Sequence, residues 1–448
     1  MNHSLSQYRP HYGVLARLGA PIVVGQLGTI VLSFADTLMI GHHSTPELAA
    51  AAFVNNMFNL VIILALGFSY AVTPTVGTLY GEGRKDRVGE VLKNALASGT
   101  LLALLLVVTM AVLWLNVERL GQPIELLPLI KPYFLVLLAS LPFVCWFNAF
   151  KQFADGITRT ALPMWVMLSG NVLNIVGNWA LIYGHLGLPE LGLTGAGVST
   201  LLSRVLMVAA MAAVFFMNSR YRKYADGFRQ GAVNRADFMR LNTMGWPLAL
   251  QMGMETAAFS LSSIMVGWIG TTALAAHQVM LTISQLGFMV YYGIGAAAAV
   301  RVSLLVGQRD VRSATSCAYA AMHIVLLLAV MVCVPLYIMR HDIGFLFSSS
   351  ADVCAMVAMT MTPFMLYQAG DGMQIIFSNG LRGLSNVRPL APVALLSYFI
   401  VSLPLSYLFG IVMGMGLTGV WMAFPFGLTT AGVLYLLHFR RTVRRMCA

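Results

Sequence analysis

The chain has 448 residues, of which 58% are apolar and only 10% charged, with a formal net charge of +11. Soluble domains carry about 25% charged residues, so a soluble enzyme, a disordered protein and a single-anchor protein are excluded; the long, continuous apolar runs exclude an outer-membrane barrel as well. A mean hydropathy of +0.79 leaves room for about a dozen spans of about 20 residues each.

Residues 1–11 are polar, and the apolar stretch after them is too long and lacks the small-residue cleavage site of a signal peptide, so it reads as a retained first helix. Twelve apolar segments follow in order, at about 14–41, 48–80, 88–116, 126–153, 161–183, 193–218, 241–269, 274–307, 313–339, 353–380, 389–412 and 417–439. The connection 81–87 (GEGRKDR) is short and basic, the stretch 218–240 carries Arg220, Arg222, Lys223, Arg229, Arg235 and Arg240, and the tail carries Arg440, Arg441, Arg444 and Arg445. On the other side, 42–47, 185–191 and 270–272 contain no Lys or Arg; Arg119, Lys131 and Arg340 are the only ones assigned there. Lys and Arg collect in cytoplasmic loops, so both termini are expected in the cytoplasm. The basic clusters sit in loops between apolar segments and carry no nucleic-acid-binding motif, which argues against nucleic acid. The five cysteines form no CxxC and no metal spacing.

The 218–240 stretch divides the chain into two sets of six spans: an N-terminal lobe 1–218, a basic linker 219–240 and a C-terminal lobe 241–448. At a shift of 226, Pro21, Met39, Gly41 and Thr45 fall on Pro247, Met265, Gly267 and Thr271; Gly67, Ala71, Val76 and Gly81 fall on Gly293, Ala297, Val302 and Gly307. Farther on, at a shift of 224, Phe153, Gly156 and Tyr183 meet Phe377, Gly380 and Tyr407, and GLTG at 192–195 recurs at 416–419. An even number of spans per half makes the repeats parallel, an architecture common in transporters.

A charge at the bilayer centre costs about 2.5 to 3.5 kcal/mol on insertion scales, so an intramembrane acid is a functional hypothesis by default. Asp36 in span 1, Glu255 in span 7 and Asp371 in span 10 qualify; Asp155, near the end of span 4, reads equally well as an interfacial residue. Asp36 aligns with Ser262 and Glu255 with Thr29, so the halves differ in chemistry. Asn174 and Asn178 share a face of span 5 at i, i+4, with Asn171 three residues earlier. Tyr367, Asp371 and Gln374 make an equivalent stripe on span 10. Oxygen-rich groups of this type suit a hard cation such as Na⁺ or a carboxylate that takes up a proton. The bland alternative is hydrogen-bonded glue between helices. Arg204 reads as an interhelical pairing partner, His277 beside Gln278 as a packing residue, and the Phe53, Met57, Phe58 and Met280, Met289, Tyr291, Tyr292 stripes as packing more than cavity lining. No GxxxxGK[ST], HExxH or GxSxG is present, which argues against ATP-driven transport and intramembrane hydrolysis.

The motifs FADTLMIG (34–41), FADG (153–156), LNIVGNW (173–179), AAHQV (275–279), QAGDGMQ (368–374) and NGLRG (379–383), in this order on twelve spans, resemble those of multidrug and toxic compound extrusion (MATE) transporters, especially the bacterial NorM-like subgroup. The resemblance covers nearly the whole chain. It implies an all-α membrane protein of two pseudo-symmetric six-helix bundles, a V-shaped cavity and antiport of organic cations against Na⁺ or H⁺, without a cofactor. It also implies a bacterial inner-membrane location and function as a monomer. Carried over residue by residue, Asp36, Asn174 and Asn178 would form the N-lobe polar site; Glu255, Tyr367 and Asp371 would form the C-lobe cation site, with Asp155, Gln278 and Gln374 as further polar candidates. Thr78 stands where the family usually has Gln and Ser303 where it usually has Gly, which touches gating detail more than coupling. The rivals are an exporter of lipid-linked or other anionic precursors, which would need a cavity rich in Arg and Lys, and an ion channel or membrane-embedded enzyme, for which no filter repeat or nucleophile and base pair is present.

Overall fold

The computed structural model describes residues 5–447, and those residues form helices and connecting turns with no strand. The long helices are α1 Arg9–His43, α2 Thr45–Gly81, α3 Lys85–Leu115, α4 Leu127–Gly156, α5 Ala161–Ile182 and α6 Gly192–Met217, then α7 Arg235–Ile269, α8 Thr271–Gly307, α9 Val311–Ile338, α10 Ala351–Gly383, α11 Leu390–Val412 and α12 Gly416–Cys447. Eleven of these are long and apolar enough to cross a bilayer; α7 is long enough at 35 residues, but Glu255, Thr256, Ser260, Ser262 and Ser263 lower its hydropathy. The helix boundaries follow local chemistry. Pro46 stands in the first turn of α2, where a missing N–H costs nothing. Asp310 accepts the Ser313 N–H at 2.9 Å to cap α9, and left-handed Gly121 and Gly184 close the turns after α3 and α5.

Two departures from regular helix occur inside spans. α2 breaks at Tyr70 and Ala71 into Thr45–Ser69 and Val72–Gly81. α11 contains two π-helical stretches, Leu395–Ser402 and Leu408–Val412, a form that concentrates at functional sites.

The chain divides into two compact units, one of Val24–Ala249 and the other of the residues up to Val23 with those from Leu250 onward. The divisions therefore fall inside α1 and α7, two residues after the repeat-related Pro21 and Pro247, rather than at the 219–240 stretch. Each unit has its own core: Phe58, Phe134, Leu141 and Ile182 anchor one, and Met280, Phe364, Trp421 and Phe424 the other. A close backbone approach is built twice. A Cβ on Gly67 would meet Ala249 Cα at 2.8 Å, and a Cβ on Gly293, its repeat partner, would meet Val23 N at 3.1 Å.

The 219–240 stretch is folded against α3. It contains a helix, Arg222–Gln230, in which Gly227 packs on the Asp86 backbone; Arg87 Nη2 donates to Asp237 Oδ2 at 2.9 Å and Lys93 Nζ to Gly231 O at 2.7 Å.

Candidate functional site

In the Val24–Ala249 unit, α1 carries Asp36 two turns before its end, and α5 presents Asn174 and Asn178 on one face. Asn178 Nδ2 donates to Asp36 Oδ1 at 2.6 Å and to Asn174 Oδ1 at 3.1 Å. Asn174 Nδ2 continues the chain to Thr200 Oγ1 at 3.1 Å and Ser203 Oγ at 3.4 Å on α6. With the Asn174 amide turned over, its nitrogen lies 3.0 Å from the same Asp36 oxygen, so in either orientation Asp36 is met by an amide donor. The Ser199 hydroxyl donates to the Asn174 backbone oxygen at 2.8 Å and fixes α6 on α5. Asn178 and Asn174 are 0% and 1% exposed, whereas Asp36 is half-buried. Asn178 Oδ1 and Asn171 Nδ2 are buried with no hydrogen-bond partner. Arg204 sits one turn beyond Thr200, donates to Ser140 Oγ at 2.5 Å, and acts electrostatically on Asp36 and on Tyr133, whose phenol donates to Asn55 Oδ1 at 3.1 Å.

In the other unit, Gln374 on α10 is the central residue. Its Nε2 donates to Glu255 Oε1 on α7 at 3.0 Å, its side chain also reaches Asp371, and its Oε1 accepts from the Tyr398 hydroxyl on α11 at 2.8 Å. Asp371 and Glu255 repel each other electrostatically, so one amide separates two carboxylates. Tyr367, one turn before Asp371, is 2% exposed and hydrogen-bonds Ser284 on α8. Tyr291 donates to Gln368 Oε1 at 2.9 Å.

The remaining sequence candidates lie elsewhere. Asp155, the last residue but one of α4, is buried and pairs with Lys151 Nζ at 3.4 Å within that helix. Gln278 is exposed, and the structure does not bring it to the Glu255 cluster. His277 is fully buried: its Nδ1 accepts from Trp421 Nε1 at 3.0 Å and its Nε2 lies 2.9 Å from Ser263 Oγ. Indole N–H only donates, so Nδ1 carries no hydrogen and the ring is a neutral packing residue. Phe58 and Met280 are core, Phe58 meeting Phe134 edge to face at 4.9 Å.

The family model described as MatE matches residues 21–180 and again 247–408, one match in each half. The chain belongs to the MatE family. It is similar to the multidrug resistance protein NorM of Photobacterium profundum, 26% identical over 444 residues, covering 97% of this chain and 96% of that protein. NorM of Aliivibrio fischeri is 28% identical over 438 residues, 96% and 94% of the two chains. Among solved structures, the Vibrio cholerae MATE transporter VcmN in its bent form has a TM-score of 0.88 at 17% identity, covering 98% of this chain and 99% of that one. The eukaryotic MATE transporter AtDTX14 has 0.85 at 19%, covering 98% and 99%. These likenesses establish the fold, an all-α membrane protein of the MATE type with a duplicated six-helix plan.

Within this MatE chain, sequence reasoning missed Tyr398, Thr200, Ser203 and Ser284. One signal points to the first: Tyr398 stands 224 residues after Asn174, at the repeat-related position. The hydroxyls carry no comparable mark.

Proposed function

We propose that the chain is a secondary antiporter that exports organic cations and amphiphilic drugs in exchange for Na⁺ or H⁺, acting as a monomer in a bacterial inner membrane with both termini cytoplasmic. It performs no covalent chemistry and needs no resident cofactor. The observation that carries this reading is the pair of carboxylate clusters, one in each unit, held in apolar helices by amides and hydroxyls: Asp36 with Asn178 and Asn174, and Glu255 with Asp371 through Gln374. The similarity to NorM proteins of full length supports the substrate class.

A carboxylate in low dielectric must be neutralised, and a cationic drug, a metal cation or a proton can each do so. Whichever occupies the site shifts the conformational equilibrium by its differential affinity, and mutually exclusive occupancy couples the two fluxes. What supports H⁺ as the coupling ion is the donor set around Glu255. Gln374 turns its N–H₂ toward the carboxylate, whereas Na⁺ would need the amide oxygen there and would break the link from Tyr398.

The test is efflux of a fluorescent organic cation from proteoliposomes under an imposed pH or Na⁺ gradient. Efflux is expected to persist in Na⁺-free buffer with a pH gradient, and Glu255→Gln and Asp371→Asn are each expected to abolish it at normal expression. Absence of gradient-driven efflux from the wild type would sink the antiporter reading; dependence on Na⁺ alone would replace H⁺ with Na⁺.

A further inference from the structure

The far end of α1 carries an ion cluster that neither carboxylate site uses. His43 Nδ1 lies 2.7 Å from Glu47 Oε2, and its Nε2 lies 3.0 Å from Glu190 Oε1. Ionised carboxylates only accept hydrogen bonds, so both ring nitrogens carry hydrogen when both contacts are made, and the ring is an imidazolium.

The three residues come from different elements. Glu47 opens α2 and is buried, with its carboxylate against Gly192, the first residue of α6, where a side chain would collide with it. The carboxylate thus meets the positive end of the α6 dipole. Glu190 comes from the 185–191 loop, which is folded back by the Leu191 N–H to Leu181 O bond at 2.9 Å. Tyr183 faces the His43 ring edge-on at 5.8 Å from the end of α5, and His185 packs on Tyr183 at 6.1 Å and on Trp179 at 4.4 Å. His42 points away, its Nδ1 2.7 Å from Leu38 O. Asp36 lies two turns before His43 and therefore on the same side of α1. Between them the Tyr183 hydroxyl donates to Met39 O at 2.8 Å.

We propose that His43, with Glu47 and Glu190, is a proton-operated positioning element that fixes the end of α1 against α5 and α6 and so holds Asp36 on Asn178. At acid pH both links are made. As pH rises through the imidazole range, one nitrogen loses its hydrogen and presents a lone pair to a carboxylate, and that link is lost. On the topology proposed above, the cluster faces outside, where a respiring bacterium is acidic; its consequence for transport rests on the antiporter reading, while the pH response of the cluster does not.

The experiment measures the spin-label distance between Leu38→Cys and Leu188→Cys in the full-length protein, in proteoliposomes and with the native cysteines replaced. Between about pH 5.5 and about pH 8.5, either side of the imidazole range, the wild-type distribution should pass from narrow to broad. Glu190→Ala removes both the charge and the acceptor from an exposed loop position, so it and His43→Ala should give the broad distribution at both pH values. A wild-type distribution that does not change, or a Glu190→Ala protein that keeps the wild-type response, overturns the proposal. Efflux measured with the pH of both faces shifted together at a fixed gradient tests the consequence. The wild-type rate should fall by about threefold or more as pH rises through the imidazole range, and both variants should be flat there. Variants that keep the wild-type rate profile while the distances respond would overturn the link to Asp36. A wild type with no efflux at all would instead remove the antiporter reading and leave the distance result standing.

Discussion

Asp36→Asn removes a charge without removing an acceptor. The new amide oxygen can still receive the Asn178 N–H now held at 2.6 Å, so the helix pairing survives while the proposed acceptor of a cation or proton is gone. The expected outcome is a melting temperature within a few degrees of wild type and efflux lowered at least about tenfold, the loss expected for an essential ionisable group in a membrane. Full efflux would reduce Asp36 to a structural hydrogen bond. Tyr398→Phe should separate structure from charge in the other unit. It strips the donor from Gln374 Oε1 and leaves a buried acceptor unpaired, at a cost of about 1 to 3 kcal/mol. A lowered melting temperature with residual gradient-driven efflux is expected; unchanged stability would mean that Tyr398 does not hold Gln374. The acids were legible in the sequence because a charge in an apolar span has no inexpensive reading. Tyr398, Thr200, Ser203 and Ser284 were not, because a hydroxyl in a helix can bond its own backbone and so carries little signal.

The spans were legible because a window of about 20 residues averages away local detail, and that averaging is also what hid the irregularities. Nothing in hydropathy marks the break of α2 at Tyr70 and Ala71 or the π-helical turns of α11, since both depend on backbone register rather than polarity. The helix Arg222–Gln230 was hidden in a polar, basic stretch; its Tyr224, Ala225 and Gly227 are buried, but nine residues are too few for a period to show. Glycine positions offer a cleaner test of element packing. A Cβ on Gly67 would stand 2.8 Å from Ala249 Cα and 2.9 Å from Leu248 O, both backbone atoms that cannot rotate aside. Gly67→Ala should therefore destabilise by about 1 to 3 kcal/mol, as overpacked helix contacts do. Gly13→Ala is the control. Nothing lies within 4 Å of its Cβ, and it should be neutral or gain about 0.5 to 1 kcal/mol from helix propensity. Equal melting temperatures for the two variants in detergent would contradict the packing read from the repeat-related glycines.

At the scale of the whole molecule, composition changes most sharply at 218–240, which is where a sequence reading cuts the chain. The compact units divide instead within α1 after Val23 and within α7 after Ala249, inside helices whose composition does not change. The duplication explains why both divisions occur at the same register: Pro21 with Val23 and Pro247 with Ala249 are related by one shift, and each close backbone approach uses the glycine at the matching place, Gly67 or Gly293. Two halves with the same register but different acids are what a duplicated carrier needs if each unit is to neutralise its own carboxylate independently. Orientation follows from the same plan, because an even number of spans per half keeps both ends of each half on one side. Positive residues then decide which side, and the structure supplies the reporters. Cys447 is exposed at the end of α12, while Cys145, Cys317 and Cys354 are buried. In intact cells, a membrane-impermeant maleimide should leave Cys447 unlabelled until the membrane is permeabilised. With Cys447 replaced, Leu186→Cys, 74% exposed in the 185–191 loop, should label from outside, and Lys85→Cys in the basic 81–87 connection should not. The reverse pattern would place the basic connections outside, turn the His43 cluster toward the cytoplasm, and reverse the direction assigned to the exchange.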